Sequence, residues 1–163
     1  MSQARKRTVR ARRTREDIRE RLLECALVEF GAKGFTAAST RAIAQRARAH
    51  QPQIHYHFAS KRQLWNAAVD HLFAELAATM AGLDLTPRSV DALAESFAEL
   101  IRRFVRFAAA HPELNRIMVH EATASSVRQR WLTERHVRPL YDTVRPLWRR
   151  LREADIAAPI DDA

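Results

Sequence analysis

Fourteen of the chain's 28 lysines and arginines fall within residues 1–61: Arg5, Lys6, Arg7, Arg10, Arg12, Arg13, Arg15, Arg19, Arg21, Lys33, Arg41, Arg46, Arg48 and Lys61. Five acids accompany them: Glu16, Asp17, Glu20, Glu24 and Glu29. Residues 62–163 carry fourteen of each sign, so the whole net charge of +9 belongs to the first part of the chain. Cations at that density neutralise a polyanion, either nucleic-acid phosphates or an anionic membrane surface. Other groupings promise less chemistry. His50, His55 and His57 are metal-ligand types, but residues two apart on a helix face different sides, so no metal site is expected. His120 and Glu121 are adjacent, do not face each other on a helix, and are expected as solvated or pocket polarity rather than an acid–base pair. Cys25 is the single cysteine, with no partner for a disulfide; it is expected as inert packing in a reducing cytoplasm. No nucleophile–base pattern, glycine-rich phosphate loop or ligand-spaced carboxylates occur, so neither an enzyme nor a cofactor is expected.

The elements that position these cations follow from period and punctuation. With 163 residues, 47% apolar, the chain has material for a real core, while 3 glycines and 6 prolines are too few for a many-stranded protein. Residues 1–13 are basic without acid and read as a disordered arm. Thr14 caps a helix over 15–32, on which Ile18, Leu22, Leu23, Ala26, Leu27 and Phe30 recur at helical spacing; Gly31 and Gly34 are expected to stop it. Phe35 is an apolar plug. Ser39 caps a short helix, 40–47, and after a break at 48–50 Pro52 sits in the first turn of another, with Ile54 and Phe58 facing in. Ser60-Lys61-Arg62-Gln63 is a capping box opening a long helix, 61–80, that Gly82 ends. Residues 83–87 are a linker, and Ser89 caps a helix of about 90–110. His111-Pro112 breaks it, Pro112 starts a helix to about 122, and a last stretch, 126–153, is to be kinked or split at Pro139 and Pro146. No period-2 run reaches strand length, and no apolar stretch approaches a membrane span. The chain is read as all-α, with arm 1–13, a first domain 14–60, a connecting helix 61–82 and a helical region 83–163.

Three short helices and a long one behind a basic arm outline a helix-turn-helix module, in which one helix enters the major groove and the one before it crosses the backbone. Within Arg15–Leu76 three runs carry a resemblance: Phe30-Gly31-Ala32-Lys33-Gly34-Phe35, Ile43-Ala44-Gln45-Arg46-Ala47, and Gln53-Ile54-His55-Tyr56-His57-Phe58-Ala59-Ser60-Lys61-Arg62-Gln63-Leu64. The stretch resembles the DNA-binding domain of the TetR/AcrR family of transcriptional regulators. The resemblance implies a homeodomain-like helix-turn-helix domain joined to a helical ligand-binding and dimerisation domain. It implies a homodimeric repressor of a palindromic double-stranded operator, cytoplasmic and without membrane contact, released by an unknown small-molecule effector.

On the matching positions, the resemblance implies that Thr40, Arg41 and Lys61 meet phosphates or bases. It implies that Gln51, Pro52 and Gln53 open the recognition helix toward the groove, and that His55, Tyr56 and His57 contact phosphates or line it. Phe97, Phe104, Met118 and Trp131 are its candidates for the ligand pocket. Two positions depart from the family pattern: Arg48 stands where the turn usually has Gly, and His55 where the recognition helix usually has Tyr. The family's two last dimer helices would lie beyond Ala163. The region 83–163 is therefore expected to be incomplete, with Trp131, Leu140, Val144, Leu147 and Trp148 exposed for self-association. An alternative from the charge alone is a basic peripheral-membrane or protein-partner module, which the acids Glu16, Asp17, Glu20, Glu24 and Glu29 oppose.

Overall fold

A computed structural model of the chain describes residues 2–87, 89–124 and 126–154, the first fourteen of these as backbone alone. The described residues are helical, with no strand. They divide into two units, Met1–Ala74 with Pro112–His120, and Glu75–His111 with Glu121–Ala163.

The first unit holds α1 (Ser2–Ala37), α2 (Thr40–Arg46), α3 (Gln51–His57), most of α4 (Lys61–Met80) and most of α6 (Pro112–Ala122). The backbone of α1 is helical from Ser2, so the expected arm and the helix expected from residue 15 form one element. Ala, Arg and Lys dominate residues 4–13, and all three are good helix formers. Leu22, Leu23, Ala26, Leu27 and Phe30 of α1 are buried together with Ile43, Ile54, Phe58, Leu64, Trp65, Ala68 and Leu72. Each such Leu, Ile or Phe contributes about 1.5–3 kcal/mol over leaving it in water. Phe35 stacks on Phe30, with ring centres 6.0 Å apart, and meets Trp65 edge-on at 6.5 Å, which is the expected plug.

The two glycines of α1 do different things. Gly34 breaks the helix, with φ +70° and ψ 172°. Gly31 does not stop it. A Cβ there would lie 3.1 Å from Glu113 Cβ and 3.2 Å from Glu113 Cα, so the residue is small because α6 passes against it. His120, also on α6, places Nε2 3.1 Å from the Gly31 carbonyl. Of the pair expected as solvated or pocket polarity, His120 is exposed while also meeting α1, and Glu121 is buried. Glu121 belongs to the second unit, where it accepts from Ser126 Oγ at 3.1 Å and Arg128 Nε at 3.2 Å.

The second unit holds the end of α4, α5 (Val90–Ala110), the end of α6, α7 (Val127–Leu132) and α8 (Arg138–Glu153). Ser89 and Ser126 cap α5 and α7 by accepting from Ala92 and Gln129 N–H. Leu93 and Leu100 of α5 pack with Leu147 and Leu151 of α8, flanked by Phe97, Val144 and Trp148. Arg103 reaches back from α5 to the end of α4, donating to the Thr79 and Ala81 carbonyls at 3.2 and 3.0 Å. The split expected at Pro139 is a π-helical turn, Thr133–Val137. There Arg138 N–H donates to Thr133 O, and the extra residue falls just before a proline with no N–H to continue the α ladder. Pro146 lies inside α8 without dividing it.

The expected apolar surface of the last stretch is corrected. Leu147 is 0% exposed because it packs on α5, and Trp131, Leu140, Val144 and Trp148 are half-buried. The exposed apolar residues of this unit are instead Ile101, Phe104 and Val105 of α5, with Val90, Val127 and Tyr141.

Candidate nucleic-acid interface

The candidate head is built from the end of α1 onward. Ser39 caps α2, its Oγ accepting Ala42 N–H at 3.3 Å. Glu29 of α1 is 2% exposed and accepts both Lys33 Nζ at 2.8 Å and Ser39 N–H at 3.2 Å. These contacts, the Lys33 hydrogen bond first, hold its carboxyl below the usual glutamate range although burial pushes the other way. The carboxylate thus pins the first turn of α2 to α1. Sequence reasoning missed it. The available signal was an acid seven residues after Leu22 and three after Ala26, on the apolar stripe itself.

The turn between α2 and α3 closes with Ala49 N–H on Ala44 O (2.9 Å) and Arg48 N–H on Gln45 O (3.1 Å). This paired 6→1 and 5→2 pattern requires a left-handed residue after the cap. Arg48 takes it, with φ +52°. The departure from Gly noted in the sequence is therefore met by a strained arginine rather than by a different turn.

On α3, Ile54 and Phe58 are buried, and Gln53 and His57 are half-buried beside them. Gln51, Pro52, His55 and Tyr56 share the opposite arc and are exposed, Tyr56 at 67%. The sequence-derived contacts thus separate. Gln53 turns inward, and its Oε1 accepts His50 N–H at 2.7 Å, capping the helix it was expected to read from. His57 sits edge-on to Tyr56, with ring centres 5.1 Å apart, and beside Phe58. Arg41 is exposed on α2, and Thr40 half-exposed before it. Gln45, one turn after Arg41 on the same face, is exposed as well and was legible from that spacing.

At the start of α4, Ser60 Oγ accepts Gln63 N–H at 3.1 Å, as the capping box requires. Gln63 Oε1 accepts from Ala59 N–H at 3.0 Å, one residue before the cap itself. Lys61 donates Nζ to Thr36 O at 3.1 Å and lies 5.0 Å from the Phe35 ring centre. Its ammonium caps the end of α1, so any phosphate it meets is shared with that carbonyl. Between Glu29 and Asp70 the chain has no acid, and its charges there are Lys33, Arg41, Arg46, Arg48, Lys61 and Arg62. Exposed side chains with amide, imidazole and phenol groups in an all-cationic stretch suit a phosphate backbone and its groove edges.

Three of the four pocket candidates, Phe97, Phe104 and Trp131, lie in the second unit. Phe97 packs on Trp148 with ring centres 5.6 Å apart, Trp131 meets His136 edge-on at 5.3 Å, and Phe104 is 38% exposed. Met118 belongs to the other unit. A shallow surface depression of about 260 Å³ on α8 is lined by Asp142, Arg145, Pro146 and Arg149, none of the four. Among the described residues no cluster of three or more His, Cys, Asp or Glu is placed to hold a metal ion, and no helix is long and apolar enough to cross a membrane.

Comparison with known proteins bears on this head. Residues 22–68 match the family model described as bacterial regulatory proteins, tetR family. Over 119 residues the chain is 28% identical to the HTH-type transcriptional repressor NicS of Pseudomonas putida strain KT2440. That match covers 73% of this chain and 54% of the relative, so the chain spans about half the relative's length. Among solved structures, a HlyIIR mutant shares the fold with a TM-score of 0.75 at 17% identity, over 90% of this chain and 77% of that one. A putative TetR family regulator from Vibrio parahaemolyticus does so with a TM-score of 0.62 at 20% identity, over 88% and 75%. Residues 22–68, within the head built by α1 to α4, thus resemble the tetR family of bacterial regulatory proteins, and the NicS relative is similar to the chain over a longer stretch.

Proposed function

We propose that the chain is a cytoplasmic, sequence-specific DNA-binding repressor that works as a homodimer. The observation that carries this reading is the exposed arc of α3, Gln51, Pro52, His55 and Tyr56, set in a stretch whose charges are all positive. Gln51 offers an amide for bidentate pairing with adenine, Pro52 an apolar contact for a thymine methyl, and Arg41, Arg46, Arg48 and Lys61 the phosphate grip. One head offers few base contacts, so operator-grade affinity calls for two heads about 34–36 Å apart on a palindrome.

The second unit is the place for a small-molecule effector in this reading. α4 and α6 each contribute residues to both units, which gives an effector two helices through which to act on the head. The effector need only prefer the conformation in which the two heads no longer match the groove spacing; its differential affinity then sets how far the operator is released.

A salt titration tests the reading. Duplex affinity should fall with a slope near −0.9 per phosphate neutralised, and Lys61→Ala should weaken all duplexes alike. Affinity that does not change with salt would exclude the phosphate grip. Sedimentation with and without a palindromic duplex tests the dimer: a monomer filling one half-site at full affinity would exclude it.

A further inference from the structure

We propose that His55 makes duplex binding proton-coupled, so that α3 grips DNA more tightly when this imidazole is charged. The inference rests on α3 being the DNA-reading helix. His55 lies four residues after Gln51, on the same exposed face, and its ring has no hydrogen-bond or ionic partner among the described residues. The elements before and after α3 carry the following charged groups. α2 brings Arg41 and Arg46, the turn brings Arg48, and α4 opens with Lys61 and Arg62. α1 brings Arg19, whose guanidinium lies 5.7 Å from the Phe58 ring centre, with Glu16, Asp17 and Glu20 in the turns around it. On α3 itself the titratable neighbours are Tyr56 and His57, with His50 just before the helix.

No acid lies between Glu29 and Asp70, so within this stretch no carboxylate competes with DNA for a charged His55 ring. Histidine is the side chain that ordinarily changes charge between about pH 5 and 8. A neutral ring donates from one nitrogen, whereas the charged ring donates from both and adds a charge-assisted bond to a phosphate or to a guanine edge. Binding that favours the protonated ring takes up a proton, and affinity must then fall as pH rises. A Gln or Arg at this position donates the same kind of hydrogen bond without that dependence.

The test uses the full chain, a fluorescent duplex of mixed sequence at constant ionic strength, and the variants His55→Gln and His55→Arg. Between about pH 8 and pH 6 the parent's affinity should rise roughly three- to tenfold, for coupling of up to one proton. His55→Gln should lose that share of the rise, and His55→Arg should hold the low-pH affinity across the range, with unfolding temperatures close to the parent's. A pH-independent parent, or a His55→Gln chain with the parent's pH profile, overturns the proposal. Absence of duplex binding by all three chains at every pH overturns the DNA reading on which it stands.

Discussion

The carboxylate of Glu29, on α1, accepts the backbone N–H of Ser39, the residue that caps α2, at 3.2 Å. One buried charge therefore fixes the entry of α2, the helix before α3, and Lys33 at 2.8 Å neutralises it. Glu29→Ala should leave Ser39 N–H without its acceptor and cost about 1–3 kcal/mol of stability. The carboxyl is held below its usual range in the folded chain, so its contribution is fully present above the ordinary glutamate value of about 4.3 and is lost as pH falls through the lowered folded value. Denaturant melts of parent and Glu29→Gln across the acid range check this: the parent should lose its advantage on acidification, and parallel curves would refute it.

Arg48 holds a left-handed backbone, φ +52°, at which a side chain costs about 1–2 kcal/mol. Glycine relieves that strain but gives back part of it as unfolded-chain entropy. Arg48→Gly should therefore melt above Arg48→Ala by up to about 1 kcal/mol. Both should bind duplex more weakly than the parent, having lost a cation. Equal stability of the two variants would show that the turn carries no strain.

Gly31→Ala sets two effects against each other. Alanine in a helix gains up to about 1 kcal/mol over glycine, whereas forcing a methyl into a packed contact costs about 1–3. The neighbours at 3.1 and 3.2 Å are the Cβ and the backbone Cα of Glu113, which cannot swing aside as a side-chain tip would. The contact should win, and the variant should melt below the parent by roughly 1 kcal/mol or more. A stabilised variant would mean that α6 does not press on α1 there.

Lys61 serves two ends. Its Nζ caps the Thr36 carbonyl and covers the Phe35 ring, so Lys61→Ala should lower stability by about 0.5–1.5 kcal/mol as well as weaken duplex binding. Thermal unfolding without DNA separates the two effects, since a purely phosphate-binding lysine would leave it unchanged.

What could be read from the sequence was what depends on local period and caps. The apolar stripe of α1, the caps Ser39, Ser60 and Ser89, and Pro52 and Pro112 in first turns each act within a few residues of themselves, and α2 to α6 begin where those signals put them, whereas α1 runs through the cap expected at Thr14. What escaped depends on residues far apart in the chain. Nothing near Gly31 announces that Glu113 packs on it, and nothing near His120 announces its contact with the Gly31 carbonyl. Leu147 was expected on the surface because its cover, Leu93 and Leu100, lies on another helix. Within the interface, exposure of Gln51 and His55 follows from the helical arc, whereas the capture of Gln53 by His50 N–H depends on which of two hydrogen bonds a glutamine makes. The four pocket candidates came from the family resemblance, which does not say where in this chain a cavity forms.

The most direct test of the central claim, that the exposed arc of α3 reads DNA, is base preference compared between the parent and Gln51→Ala. A site selected from random duplexes is varied one base pair at a time, and affinities are measured for both chains at one fixed salt concentration. The account predicts that Gln51→Ala flattens discrimination by about 1–3 kcal/mol at one or two positions and leaves the rest of the profile in place. A Gln51→Ala chain that keeps the parent's preference at every position would contradict it.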